Sequence, residues 1–342
     1  MTAPGDEASP ILVEIIRGEM VESFHRGAVA VVDASGKVAR SLGDVDRLVY
    51  PRSALKPIQA LPLIETGAAD GVGLGPEELA LACASHRGEP MHTGKVAAWL
   101  AKIGLSEADL ECGVHPPRHE PSYAALLRAG GAPSQLHNNC SGKHAGFLTT
   151  AVWMREPIRG YIEGDHPVQR RVAQTVGEMA GFDLSRAPRG RDGCGIPVIA
   201  LPLRALATAM ARLADPAGLR EPRRAAAKRL LDAMAAGPRL VDGTGGMTAT
   251  LMSIAGTTVR LKPGAEGVFA AALPTLGLGV ALKIDDGGAR AAELAMATIL
   301  DRLGCFTAEA RSSVAPFLAP PLKTVAGREA GRLQPTAVLQ SL

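Results

Sequence analysis

Val21-Glu22-Ser23-Phe24-His25-Arg26-Gly27-Ala28-Val29-Ala30-Val31-Val32-Asp33 decides the fold. Its β-branched content, its alternation and the glycine inside it read as strand, and Ala34-Ser35-Gly36-Lys37 closes it as a turn. Upstream, Ile11-Leu12-Val13-Glu14-Ile15-Ile16 has the same character up to a turn at Arg17-Gly18, which makes an antiparallel hairpin. The strand pattern returns after Val241-Asp242-Gly243-Thr244-Gly245-Gly246. It runs as Thr257 to Lys262, Gly267 to Ala272 and Gly279 to Ile284, and a helix over Ala289 to Leu303 follows. From Lys56 to about Met210 the signal is helical and rich in Ala and Leu, with helix starts near Pro76, Ser106 and Pro167. An Ala/Arg helix pair fills Leu201 to Ala236.

Strands at both ends of the chain with helices between them predict an α/β (α+β) architecture. The N- and C-terminal segments form one antiparallel sheet with helices on it, and a central helical lobe is inserted between them. The expected sheet lobe covers about 10–52 and 240–312, and the helical lobe about 53–239, within one two-lobed domain over 1–342. The Pro-containing tail from Val314 is expected to be an extended or weakly ordered arm.

With 342 residues the chain can bury a sizeable core. Hydrophobic residues at 46% and charged residues at 21% exclude collagenous and disordered classes. Aromatic residues make up only 3%, too few for a stacking platform for bases or sugars. The net charge is +3, and the nearest thing to a basic block, Arg220 to Arg229, repeats at 220, 224 and 228 as a solvated helix face; nucleic acid is not expected as a partner. Met1 to Pro10 lack the apolar stretch of a secretory signal, and no run of about twenty apolar residues could span a membrane, so a cytoplasmic location is expected. Five cysteines, Cys83, Cys112, Cys140, Cys194 and Cys305, are an odd number without close pairing and argue for buried or metal-bound thiols over a disulfide framework.

Chemistry enters at Tyr50-Pro51-Arg52-Ser53-Ala54-Leu55-Lys56-Pro57. Ser53 and Lys56 are three residues apart and share a face. Pro57 lacks an amide hydrogen and clashes with the carbonyl four residues back, so Ser53 must lie at or before the first helical turn. There the positive helix end favours an alkoxide on Ser53 and a neutral amine on Lys56. This is an S-x-x-K arrangement, in which a lysine replaces the histidine of a serine triad. By itself the spacing equally fits a capping serine and a solvated lysine.

Three further stretches put polar side chains among small residues, as a pocket needs for close backbone approach. They are Cys83-Ala84-Ser85-His86-Arg87-Gly88-Glu89, His137-Asn138-Asn139-Cys140-Ser141-Gly142-Lys143-His144-Ala145-Gly146 and Arg189-Gly190-Arg191-Asp192-Gly193-Cys194-Gly195-Ile196-Pro197. Singly each has a plain reading: a helix cap at Ser85-His86, a core thiol at Cys140, turns at Gly193 and Gly195. For a metal, Cys140 lies at helical spacing from both Lys143 and His144, and Cys194 can add a second thiol. Ligand chemistry alone favours two cysteines with His144, because a lysine must first lose its proton. His115 and His119 are separated by Pro116 and Pro117 and read as loop histidines.

Together, Pro51-Arg52-Ser53-Ala54-Leu55-Lys56-Pro57, Ala84-Ser85-His86, Asn138-Asn139-Cys140-Ser141-Gly142-Lys143-His144-Ala145-Gly146, Asp192-Gly193-Cys194-Gly195-Ile196-Pro197 and Lys262-Pro263-Gly264-Ala265-Glu266-Gly267-Val268 resemble the rhizobial-type (class 3) L-asparaginase family, over about residues 10 to 310. The resemblance implies a serine β-lactamase/glutaminase-like fold, a homodimer, and hydrolysis of L-asparagine to L-aspartate and ammonia. It implies Ser53 with Lys56 as one catalytic pair and Ser85 with Lys262 as the second, with Lys283 the competing basic residue. It implies zinc on Cys140, Lys143 and Cys194, which leaves His144 as rival ligand. Asp192 is then next to the metal ligands and near substrate, and Arg52, His86 and Asn139 join it in substrate binding. A glutaminase or another S-x-x-K hydrolase, or a zinc-stabilised amino-acid-binding protein without catalysis, are the alternatives; against a penicillin-directed enzyme, the chain has no S-D-N or K-T-G box.

Overall fold

The structure is a computed structural model describing residues 7–342, so the first six residues of the Met1 to Pro10 segment lie outside the described residues. The chain divides into two compact units. One holds the chain up to Ala54 with Leu201–Asp215 and Leu251–Leu342; the other holds Leu55–Ala200 and Pro216–Thr250.

The strands in chain order begin with β1 (Ile11–Arg17), β2 (Met20–Asp33), β3 (Val38–Leu42) and β4 (Leu48–Val49). Next come β5 (Arg189–Arg191), β6 (Pro197–Ile199) and β7 (Leu201–Pro202). The chain then supplies β8 (Arg260–Pro263), β9 (Val268–Leu273), β10 (Leu278–Ile284), β11 (Pro321–Lys323) and β12 (Glu329–Pro335). In the first unit an eight-stranded antiparallel sheet runs β11-β12-β1-β2-β10-β9-β8, with β3 also on β2. Its centre is a ladder of small and branched residues: Val31 faces Val280, which faces Ala271, and all three are buried. Such residues keep the pleat thin enough for helices to lie close on it. The Leu203–Ala214 helix comes so near to β10 that a Cβ on Gly279 would sit 2.0 Å from the carbonyl oxygen of Ala207. The mixed architecture expected from strands at both chain ends is thus the one observed.

The tail departs from expectation. Instead of an extended arm it forms a helix (Arg311–Leu318), the β11–β12 hairpin and a last turn of helix (Ala337–Gln340), and β12 pairs with β1 along Val13 to Arg17. Its prolines sit at strand ends and at one helix position, where they cost few ladder bonds, and Leu333 and Leu339 bury their side chains. Residues 201–215 likewise belong with the sheet, not with the helical region in which sequence put them.

The second unit is helical, with principal helices Pro76–Ala82, Pro90–Lys102, Ser141–Trp153, Pro167–Ala180 and Arg223–Ala236. A helix expected from Ser106 is only a 3₁₀ turn, Glu107–Asp109, because the polar stretch leading to Pro116 and Pro117 has no apolar face to bury. Arg220, Arg224 and Lys228 are exposed, as a solvated face requires. The Ser141–Trp153 helix is buried from Ser141 to Ala151, and its start lies against the end of Pro76–Ala82: a Cβ on Gly142 would be 2.4 Å from the carbonyl oxygen of Leu81. Only glycine permits that approach. No helix among the described residues is long and apolar enough to cross a membrane.

Candidate active site

Ser53 lies half-buried in a 3₁₀ turn, Arg52–Leu55, and Lys56 opens the one-turn helix Lys56–Gln59 with Pro57 at its second position. Pro57 therefore does what its chemistry demands and keeps Ser53 outside the α-helix. Arg52 has φ +52°, a left-handed conformation that L side chains avoid, directly before Ser53. The expected help from a helix end is small, since a helix of four residues carries little dipole. What pushes the Lys56 pKa down is first of all burial, with the nearby Lys143 charge adding to it.

The Lys56 ammonium, wholly buried, donates to the carbonyl oxygen of Ala84, to Ser85 Oγ at 3.0 Å and to the carbonyl oxygen of Asn139 at 3.4 Å. Its serine contact thus reaches across to Ser85, which the resemblance had placed in the other pair. Ser85 is held there because Pro76–Ala82 ends in small residues, with Cys83 and Ala84 closing its last turn on Ala80 and Leu81, and because the Ser85 amide bonds the carbonyl oxygen of Val241 at 2.9 Å. Lys262 and Ser53 both lie in the sheet unit. Lys262, fully buried on β8, donates to the carbonyl oxygen of Pro263 at 2.9 Å. Two residues on, a Cβ at Gly264 would come within 2.6 Å of the carbonyl oxygen of Pro51, so the Lys262 strand end abuts the turn that carries Ser53. Lys283 instead bonds the carbonyl oxygens of Glu266 and Ile284.

Cys140, Lys143 and Cys194 converge. Asn138 Oδ1 accepts the Cys140 amide at 2.9 Å while its Nδ2 holds the carbonyl oxygens of Cys112 and Gly113, which fixes the loop before the helix. The Lys143 ammonium donates to Cys194 Sγ at 3.1 Å and lies 5.7 Å from the centre of the Phe147 ring. The Cys140 and Cys194 thiols are hydrogen-bonded to each other. The hydrogen bond from Cys140 lowers Cys194 to about 5, and the same contact together with burial lifts Cys140 to about 12. Burial works against charge on Lys143, but Cys194, Cys140 and Asp192 outweigh it and raise the lysine above its ordinary range. Asp192, half-buried, also takes the Gly193 amide on Oδ1 at 2.8 Å.

His144 is placed differently. Tyr161 OH accepts the Glu111 amide at 2.9 Å and meets His144 Nδ1 at 2.8 Å, so the phenol proton points at Nδ1 and the ring proton is left on Nε2. Nε2 is buried without a partner among the described residues, and burial lowers the His144 pKa to about 3. A ligand nitrogen must be free of its proton, and no group of three or more His, Cys, Asp or Glu side chains among the described residues could hold a metal ion. The donor set that does converge, two sulfurs and one amine, fits a soft or borderline divalent cation only with the lysine included.

Spacing gave no hint of two other contacts. His86 Nε2 meets Ser141 Oγ at 2.9 Å, and the His86 and His92 rings stack at 4.8 Å. Ser141 stood inside a quoted motif, but nothing in it tied the hydroxyl to a residue fifty-five positions away.

A buried lysine amine on a buried serine hydroxyl is the apparatus of a Ser-Lys hydrolase. The chain belongs to the L-asparaginase II family, whose family model matches residues 13–335. No curated protein matches it. Solved structures with a likeness include Mglu with tris and glutamate, 16% identical over 82% of this chain and 60% of that one at a TM-score of 0.40. A β-lactamase from Mycobacterium bovis is 14% identical over 85% of this chain and 94% of that one at 0.41. A β-lactamase-like protein from Bacteroides dorei is 17% identical over 77% and 85% at 0.40. The chain spans 60% of the length of Mglu.

Proposed function

We propose that the protein hydrolyses L-asparagine to L-aspartate and ammonia through its serines and lysines. The observation that carries the reading is the buried Lys56 Nζ at 3.0 Å from Ser85 Oγ in a chain of the L-asparaginase II family. Burial favours the neutral amine, so Lys56 can take a hydroxyl proton as the oxygen attacks the side-chain amide carbon. The proton leaves with ammonia, and water then releases aspartate from the acyl-enzyme. Ser53 and Lys262 are the second pair of groups in this scheme, one an alternative nucleophile and the other a proton relay. Arg52, Asp192 and Asn139 are the proposed substrate contacts.

Zinc is proposed on Cys140, Lys143 and Cys194. When bound it supplies a fixed positive charge that orders the two thiolates and the amine. A homodimer in the cytoplasm is the proposed setting, in keeping with cysteines none of which is in a disulfide.

The test is ammonia release from L-asparagine and, beside it, L-glutamine, by the wild type and by folded Lys56→Ala, Ser85→Ala and Ser53→Ala variants. Release from asparagine that Lys56→Ala and Ser85→Ala abolish supports the reading. No release from either amide with zinc present overturns it and leaves amino-acid binding without catalysis.

A further inference from the structure

We propose that His86 and His92 form a neutral, stacked clamp that positions Ser85 against Lys56, making both histidines positioning residues and neither a proton carrier. The inference rests on the reading that Ser85 takes part in the reaction. The directions of the hydrogen bonds support it. The Gly88 amide donates to His86 Nδ1 at 3.1 Å, and the next amide, that of Glu89, donates to His92 Nδ1 at 3.2 Å. An amide can only donate, so each Nδ1 carries no proton and each ring carries its proton on Nε2. His86 Nε2–H is then the donor to Ser141 Oγ at 2.9 Å, and Ser141 passes its own proton to the carbonyl oxygen of Leu136 at 3.0 Å. His92 Nε2–H is the donor to the carbonyl oxygen of Arg239 at 3.0 Å.

The rings lie nearly parallel, 11° apart, over consecutive amides of the loop that follows Ser85. One ring ties that loop to the first residue of the Ser141–Trp153 helix, beside Cys140 and Lys143. The other ties it to Arg239, in the segment whose Val241 carbonyl oxygen holds the Ser85 amide and whose Thr244 is gripped by Glu89 at 2.7 and 2.6 Å. Ser85 therefore sits between two anchored sides. With both ring nitrogens spent inside the fold and no part of the ring exposed, His86 has no atom to offer substrate, contrary to the role the resemblance implies for it. Protonating either ring would aim an Nδ1–H at an amide N–H. His86 also faces Lys56, Arg118 and His137 besides its stacked partner, while His92 faces Glu89, Asp242 and Arg239. Burial keeps both neutral.

His86→Gln keeps a donor near the Nε2 position, His86→Ala keeps none, and Ser141→Ala removes the acceptor of the His86 bond together with the bond from Ser141 to Leu136. Each would be assayed for ammonia release from L-asparagine with melting temperature measured alongside. The clamp predicts that kcat falls about a hundredfold in His86→Ala with KM little changed. Part of that loss should return in His86→Gln, and Ser141→Ala should show a smaller fall. Loss that merely follows the folded fraction, or equal loss in the Gln and Ala variants, overturns it. Nitrogen-15 spectra of the imidazoles give a readout that needs no turnover: both rings should show the Nε2–H form from about pH 7 to 9, above the ordinary histidine range. A ring that protonates in that range or shows the Nδ1–H form also overturns the clamp. An inactive wild type would sink the asparaginase reading while these spectra still decided the state of the rings.

Discussion

Lys56 Nζ lies 3.0 Å from Ser85 Oγ although the two are twenty-nine residues apart, so the lysine of the S-x-x-K stretch serves a serine outside it. Replacing Lys56 by Ala removes the only base in that contact. Turnover of L-asparagine should fall by about 10²- to 10⁴-fold, which steady-state ammonia assays read directly.

Burial depresses the Lys56 pKa below 10.5, its ordinary value. The active form is the neutral amine, so kcat should rise with pH through the folded-state pKa and then level off, and the Lys56→Ala variant should lose that limb. Stability follows the same sign. Between the folded-state pKa and 10.5 the unfolded chain binds the proton and the folded one does not, so this lysine's contribution to stability rises with pH across that window and is lost as pH falls through the folded pKa. Denaturation midpoints of wild type and Lys56→Met at several pH values check it; a wild type that gains nothing relative to the variant on going alkaline contradicts the burial argument.

Cys140→Ser removes one sulfur of the converging donor set, and chelation should act on the same group of residues. Soft thiolate sites more often order a binding surface than generate hydroxide. The expected outcome is a rise in KM for L-asparagine larger than the fall in kcat. A collapse of turnover at unchanged KM would assign the metal a part in the chemical step.

Gly142→Ala places a methyl 2.4 Å from the carbonyl oxygen of Leu81, a backbone atom that cannot swing away. The Ser141–Trp153 helix must move outward, at a cost of about 1–3 kcal/mol. Thermal melts should show the loss, and because Ser141 and Lys143 flank the glycine, activity should fall further than stability alone explains.

Removing the chain after Ala319 deletes the β11–β12 hairpin and exposes the partners of Leu333 and Leu339. Burial of two leucines alone corresponds to about 3–6 kcal/mol. The truncated protein should unfold at markedly lower denaturant, whereas an unstructured arm could be cut without effect.

The sheet was legible because its strands are written in β-branched runs bounded by glycines, and the three C-terminal strands fall within a few residues of the stretches that announce them: Arg260–Pro263, Val268–Leu273 and Leu278–Ile284. The tail was not, since β12 carries Gly331 and Pro335 and no β-branched residue, and pairing with β1 and β11 makes a strand of it. Within the candidate site, local spacing singled out Ser53 with Lys56 and grouped Cys140 with Cys194, while the selection of Ser85, Lys143 and Lys262 came with the family resemblance. Which of them touch was not legible, because contacts such as Lys56 to Ser85 and Lys143 to Cys194 are set by how helices and loops pack. The ring tautomers of His86, His92 and His144 depend on backbone amides and a phenol brought in from elsewhere, about which sequence spacing says nothing.

The pairing of β12 with β1 joins segments 325 residues apart at the Thr336 to Ile11 bond. During synthesis β1 is among the first strands made and must wait for nearly everything else before its outer neighbour exists. The bulk of the helical unit, ending at Thr250, is available for folding well before that. A vectorially synthesised chain thus finishes its sheet last, with an unprotected β1 edge exposed in the interval. A chaperone that recognises exposed strand edges would find its binding site here, and a permuted chain that begins at β12 and runs directly into β1 would remove the wait.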